Sequence, residues 1–384
     1  MRHPRRHFLK AFKRTLYYPR YLNIVMNKNI EKEMKENQKF LEELLEAPSP
    51  TGYENAAVDV FNNHMSDFSR HAFTDKFQNS VFTKGAINGT PILLSGHYDE
   101  LGFLVSEVTE SGMCKIVRIS GEDRRVLPGS RLSALTKDGM VDGIIQYKAI
   151  HVQTGSEYDS IAKMEDLCLD FGCTDKKELE GLGIGVGTLM VYPKYEQNIN
   201  FGPSGKFIVG NSLDDKLGVY IVAEILRRVD EDLLVKKNIT LFGAGVAGEE
   251  SGLRGAKVLA RRVDPEISID FDVCPSTEKD LGISSAMYGD ISLGKGVVIE
   301  YGPAKSRRIG DTMKYLAGKN NIPYQIGVGR AGGTNTSAIQ EHATNCETML
   351  LSLPNRNMHQ PYEQCHWDDV ESCINLVLKW IEEL

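Results

Sequence analysis

Six side chains in this 384-residue chain are of the types that hold metal ions and move protons: His97, Asp214, Glu249, Glu250, Asp272 and His359. All offer nitrogen or oxygen donors, a set that suits zinc, cobalt or manganese rather than a thiolate site. Six groups are too many for one tetrahedral ion. They fit two divalent ions about 3.5–4 Å apart that share one bridging carboxylate. Glu249, if left out of coordination, would accept a proton from a water whose pKa coordination lowers to roughly 7. Asp99, two residues after His97, is placed to hydrogen-bond a ligand imidazole and fix its tautomer.

Taken singly, each residue has an ordinary explanation. Adjacent glutamates are mostly solvated surface, a histidine at a strand end is mostly a polar loop residue, Asp214 could be a helix cap and Asp272 a turn former. Position joins them. His97 follows the predicted strand PILLS, Glu249 and Glu250 follow ITLF, Asp272 follows ISIDF, and His359 follows TMLLSLPNRN. Asp214 opens a nearly all-apolar predicted helix, Leu217–Val229. In open α/β sheets, ligands bind beyond the carboxyl ends of the strands. The Glu249–Glu250 turn is also glycine-rich, with Gly243, Gly245 and Gly248 inside six residues.

The positioning elements follow from periodicity. Helices are predicted over 30–46, 54–68, 253–262, 306–319, 336–342 and 367–384, and strands over 71–75, 80–83, 91–95, 239–242, 267–271 and 348–353. Strands alternating with helices imply an α/β fold with a mixed, mostly parallel sheet flanked by helices. Between 104 and about 200 the helical period fades. CKIVRIS, SRLSAL, GIIQYKAIHV and TLMVYP alternate with turn residues, as an inserted β-rich module would.

Composition narrows the function classes. Apolar residues make up 41% and charged residues 25%, as in an ordinary globular protein. No run of 18 apolar residues suggests a membrane span. Seven cysteines at scattered spacings, an odd count without CxxC, and no secretory signal point to a reducing cytoplasm. Residues 1–28 carry eight Lys/Arg and no Asp/Glu, which leaves 37 basic against 52 acidic residues, a balance of −15. That acidity argues against nucleic-acid binding. The basic head reads as a disordered extension, with an organelle presequence or a membrane-surface contact as alternatives. His64, His71, His151, His342 and His366 lack the strand-end context and read as structural. Cys365-His366 has no partner motif, and Cys274 reads as lining rather than coordinating. No GxSxG elbow supports serine catalysis.

In chain order, GHYDELGF, LDDKLG, GEESGLRGA, DFDV and NMHQPYE resemble the metal-site blocks of metallopeptidase family forty-two of clan MH, the tetrahedral, glutamyl and deblocking aminopeptidases. EAPSPTGYE, VLPGSRL, LDFGCTDKKELEGLGIGVG and LGKG agree, so the resemblance runs from about Leu44 to the C-terminus. His97 and Asp214 stand 117 residues apart, and that gap holds the insert, which relatives in the clan lack or carry later. The resemblance implies a phosphorylase/hydrolase-like catalytic domain over 29–104 and 201–384, interrupted at 105–200 by a β-rich domain used in oligomerisation. It implies His97 and Asp272 on one metal, Glu250 and His359 on the other, Asp214 bridging, and Glu249 as general acid/base. It further implies peptide substrates and a dodecameric tetrahedron with inward-facing sites. Two positions depart from the family pattern: Asn335 stands where GGTDA has Asp, and Gly248 where QEE has Gln. Both leave the ligand set intact and bear on substrate preference. Two other readings are a glycoside hydrolase, which wants two carboxyls about 5–9.5 Å apart and no metal, and a non-catalytic assembly protein retaining the fold.

Overall fold

A computed structural model describes residues 38–329 and 333–384, all within one compact unit. The basic extension at 1–28, the first eight residues (30–37) of the helix expected over 30–46, and the start of GGTNTSAI lie outside the described residues, while 38–46 are helical as expected.

The chain first lays down β1 (Arg70–Thr74), β2 (Ser80–Gly85) and β3 (Thr90–His97). It then leaves the sheet for six strands: β4 (Phe103–Val108), β5 (Met113–Arg118), β6 (Arg131–Thr136), β7 (Gly139–Gln146), β8 (Cys168–Asp170) and β9 (Leu189–Val191). These close into a barrel in the order β4-β5-β8-β7-β6-β9. Alternate residues such as Phe103, Val105, Cys114, Ile116, Leu132 and Ala134 fill its interior, as the two-residue period of a strand requires. Returning, the chain forms β10 (Asn198–Phe201) and β11 (Phe207–Gly210), then β12 (Ile239–Val246), β13 (Ile267–Pro275), β14 (Val297–Tyr301), β15 (Tyr324–Val328), β16 (Glu347–Asn355) and β17 (Glu363–His366).

The main sheet runs β1-β2-β12-β3-β13-β16-β14-β15. Its central strands β12, β3, β13 and β16 are mutually parallel, while β2 against β12 and β14 against β16 are antiparallel. The fold is therefore α/β with a mixed sheet and an added β barrel. A further sheet, β10-β11-β17, was not foreseen, nor were β14 and β15.

Both faces of the sheet are covered. On β3, Ile92 and Leu94 join the larger core with the helices Leu213–Arg228 and Trp367–Glu383, whereas Leu93 packs on the opposite face with Ala256, Leu259, Ala338 and Ile339. Helix Leu213–Arg228 is buried from Leu213 to Leu226, as the nearly all-apolar stretch from Leu217 requires, with Glu224 the charged exception within it. Close approach to β3 explains Gly96: a Cβ there would lie 2.5 Å from the carbonyl carbon of Gly218.

Candidate active site

The parallel centre of the sheet delivers the donors to one edge. His97 is the last residue of β3 and pairs with Val246, the last residue of β12. Asp272 lies two residues beyond Asp270, where the pairing of β13 with β3 ends, so its carboxylate enters the crevice that opens there. Glu249 and Glu250 stand in the turn after β12. Gly248 just before them has φ +66°, a left-handed backbone that favours glycine. Asp214 sits in the first turn of its helix, and His359 in the loop between β16 and β17.

All six donors converge. Within each of two groups, His97 with Glu249 and Asp272, and Asp214 with Glu250 and His359, one ligand atom per residue lies within 4.8 Å of the others. Asp214 stands between the groups: its Oδ1 is 3.2 Å from His97 Nε2 and its Oδ2 is 3.3 Å from His359 Nε2. Glu250 Oε1 is 3.4 Å from His359 Nε2, and Glu249 Oε2 is 3.9 Å from His97 Nε2.

Among the described residues no lysine or arginine pairs with any of the six. The titration of the acids reflects this. Burial, reinforced by Asp272, Glu250 and Asp214 and opposed by His97, pushes Glu249 up to about 9. Burial and Asp214 push Glu250 up to about 8, and burial and Asp214 push Asp272 up to about 7. Burial opposes ionisation of Asp214 too, but His359 and His97 on either side hold it well below the usual range. Asp214 in turn raises His359 to about 10 against the effect of burial.

A second layer of groups fixes these donors. Asp99 does more than face an imidazole. Its carboxylate accepts the backbone N–H of Glu249 (2.9 Å) and of Glu250 (3.1 Å). The His97 Nδ1 contact at 3.1 Å goes to the Asp99 backbone oxygen, with the side-chain oxygen at 3.5 Å. Three supports were missed in the sequence. Buried Asp215 accepts the N–H of His97 at 3.2 Å and of Gly218 at 3.0 Å. Glu363 on β17 accepts the N–H of Asp214 and of His359, each at 3.0 Å, one on each oxygen. Gly121, after β5 of the barrel strands, offers its carbonyl to His359 Nδ1 at 3.1 Å. Such groups carry no spacing signature; only the proximity of Glu363 to His359 in NMHQPYE hinted at one. Cys365 is buried and His366 accepts the Asp368 N–H at the start of the last helix, so neither joins the site.

Beside His359 opens a cavity of about 490 Å³ lined by Glu122, Arg124, Ile161 and Met358 among others. It gives the donor cluster a route to solvent on the barrel side.

Residues 79–376 match the family model described as M42 glutamyl aminopeptidase. The lysyl aminopeptidase of Pyrococcus furiosus is 26% identical over 350 residues, covering 90% of this chain and 96% of that one. A TET aminopeptidase from a marine sediment archaeon of the Thaumarchaeota superposes with a TM-score of 0.85 at 27% identity, over 92% of this chain and 97% of its own. The TET1 peptidase of Pyrococcus horikoshii, described as able to assemble into a tetrahedron or a large octahedral shell, superposes with a TM-score of 0.76 at 27% identity, over 91% and 100%.

Proposed function

The chain belongs to the M42 glutamyl aminopeptidase family, and on that footing we propose that it removes N-terminal residues from peptides at a centre holding two divalent cations, zinc or cobalt first and manganese also accommodated. The observation that carries this reading is Asp214, whose two carboxylate oxygens face the two imidazoles at 3.2 and 3.3 Å. The donor chemistry fits: the set is all nitrogen and oxygen, and among the described residues the buried acids there are answered only by two histidines. In the proposed assignment His97 and Asp272 would hold one cation and Glu250 and His359 the other, with Asp214 available to both.

Two cations so held would polarise a scissile carbonyl and acidify water near neutral pH. The chain's own residues would do the rest. Glu249, close to His97 but able to be spared as a ligand, takes the proton from the attacking water and hands it to the leaving amine. Asp99 keeps the Glu249–Glu250 turn aimed at the crevice, and Glu363 holds the backbones of Asp214 and His359 in register. The cavity beside His359 receives the peptide. Assembly into a homo-oligomer, a dodecamer by kinship, with the barrel as its contact domain, and a cytoplasmic location belong to the same proposal. Among the described residues no helix is long and apolar enough to cross a membrane.

The test is a panel of aminoacyl chromogenic amides assayed with zinc, cobalt or manganese and with chelator, on the wild type and on Glu249→Gln. The substitution should leave metal content at the wild-type level and lower kcat by about 10²–10⁴-fold. Loss of a metal ion in Glu249→Gln would make Glu249 a ligand; near-normal turnover of the loaded variant would remove its proton role.

A further inference from the structure

The barrel strands leave the main sheet along Tyr98–Gly102 and return along residues 192–211. Where these connections pass each other, two lysines and a glutamate are buried: Lys194, Lys216 and Glu100, with side chains 2%, 0% and 3% exposed. Lys194 Nζ pairs with Glu100 Oε2, donates to Asn211 Oδ1 at 2.8 Å and reaches Ser212 Oγ at 3.4 Å. Asn211 Nδ2 donates back to the carbonyl of Pro193 at 3.0 Å. Glu100 Oε1 accepts the Ser49 N–H at 2.7 Å and lies 3.5 Å from Lys216 Nζ, which donates to the Ala47 carbonyl at 2.7 Å.

None of these groups is one of the six donors, yet several border residues that act at the site. Glu100 directly follows Asp99. Asn211 and Ser212 directly precede Leu213–Asp214. Ser212 has φ 62°, a left-handed conformation that a residue with a Cβ keeps only when its surroundings impose it. The donors themselves differ in support. His97 and Asp272 are carried by β3 and β13, whereas Asp214 follows the Ser212 bend and His359 stands in a loop.

We propose that Lys194 is a positioning residue for the metal centre: through Glu100 and through Asn211–Ser212 it holds the backbone that aims Asp99 and Asp214, and so couples the seat of the barrel to the Asp214–Glu250–His359 group. A buried charge-paired lysine is an unusual thing to keep for stability alone, because its desolvation cancels much of the pairing energy. What it adds here is a fixed three-way junction between the outgoing connection, the returning connection and the bridging carboxylate. The inference rests on the two-cation reading.

It is tested by stepwise cobalt(II) titration of the full chain, followed by visible absorption, in the wild type, Lys194→Met, Lys194→Arg and the exposed control Lys137→Met. In Lys194→Met the step that fills the Asp214–Glu250–His359 group should weaken by about 10–100-fold and the other, which shares Asp214 but keeps the strand-borne His97 and Asp272, by clearly less, with an altered absorption band. Lys194→Arg should restore the lost step at least in part, and Lys137→Met should match the wild type. A folded Lys194→Met with both steps and the band unchanged overturns the positioning role, as does equal weakening of both steps. If Lys194→Met does not fold, Asn211→Leu decides. It leaves the Lys194–Glu100 pair and removes the Asn211 bonds to Lys194 and to the Pro193 carbonyl, so the same unequal loss is required of it. A wild type that takes up no cobalt fails earlier and differently: it removes the two-cation reading itself, and this inference with it.

Discussion

Glu249 and Glu250 are neighbours in the chain, yet their carboxylates face different imidazoles, His97 at 3.9 Å and His359 at 3.4 Å. One carboxylate enforces that division. Asp99 accepts both backbone N–H groups of the pair, one on each oxygen, so the turn cannot rotate without losing a buried charge-assisted bond. Asp99→Asn keeps the shape but presents an NH₂ where an acceptor stood, so one N–H of the turn is left without a partner. The expected outcome is a loss of about 10–100-fold in metal affinity or kcat/KM, the size usual for groups that orient ligands. Steady-state kinetics alongside metal analysis checks it, and kcat/KM within about two-fold of wild type would show that the turn holds its aim without Asp99.

At the scale of elements, helix Leu213–Arg228 brings Asp214 to the site and anchors its far end by charge. Glu224, fully buried, accepts from Arg227 at 2.9 Å and from Arg228 at 2.7 Å, and Arg228 also bonds Glu371 on the last helix at 2.8 Å. Burial alone would raise the Glu224 carboxyl; the two arginines outweigh it and hold it below the ordinary value. A carboxyl lowered in the folded state contributes stability that is complete above its unfolded pKa of about 4.3 and is lost as pH falls through the lower folded value. Glu224→Gln should therefore cost on the order of 2 kcal/mol at neutral pH, less than for a fully enclosed pair because both arginines are partly exposed. The deficit relative to wild type should shrink as pH drops below about 4. Urea unfolding at pH 7 and pH 3 measures it, and an equal deficit at both pH values would exclude the ion pair as its source. Elements were also where the sequence spoke most clearly. The helices and strands that carry donors have long apolar runs ending in Gly, Asp or Asn, and their ends are where His97, Asp214, Glu249, Glu250, Asp272 and His359 fall. The short strands β14, β15, β10, β11 and β17 escaped because four or five residues give too little periodicity to separate strand from loop. Asp215, Glu363 and Gly121 escaped for another reason: a group that binds a backbone N–H or a ring nitrogen is identified only by what the fold brings against it.

At the scale of the whole molecule, the donors come from five separate stretches of chain, so cations bound among them would tie together segments far apart in sequence. A ligand that binds only the folded state stabilises it by about 2.7 kcal/mol at a hundred times its Kd. Chelation should lower the Tm, and returning zinc or cobalt should restore it. The pH dependence separates this from a nonspecific salt effect. Without cations, Glu249, Glu250 and Asp272 stand at about 9, 8 and 7, all above their unfolded values. Groups raised in the folded state contribute stability that is complete below their unfolded pKa and is lost as pH rises through the folded values. The chelated protein should therefore lose Tm steadily from about pH 5 to pH 9. The loaded protein should stay flatter over that range, because the cations compensate the ionised carboxylates. The gap between the two curves is then widest at alkaline pH. Parallel curves, with elemental analysis confirming that the ions were removed, would mean that they had been bound elsewhere than among these carboxylates.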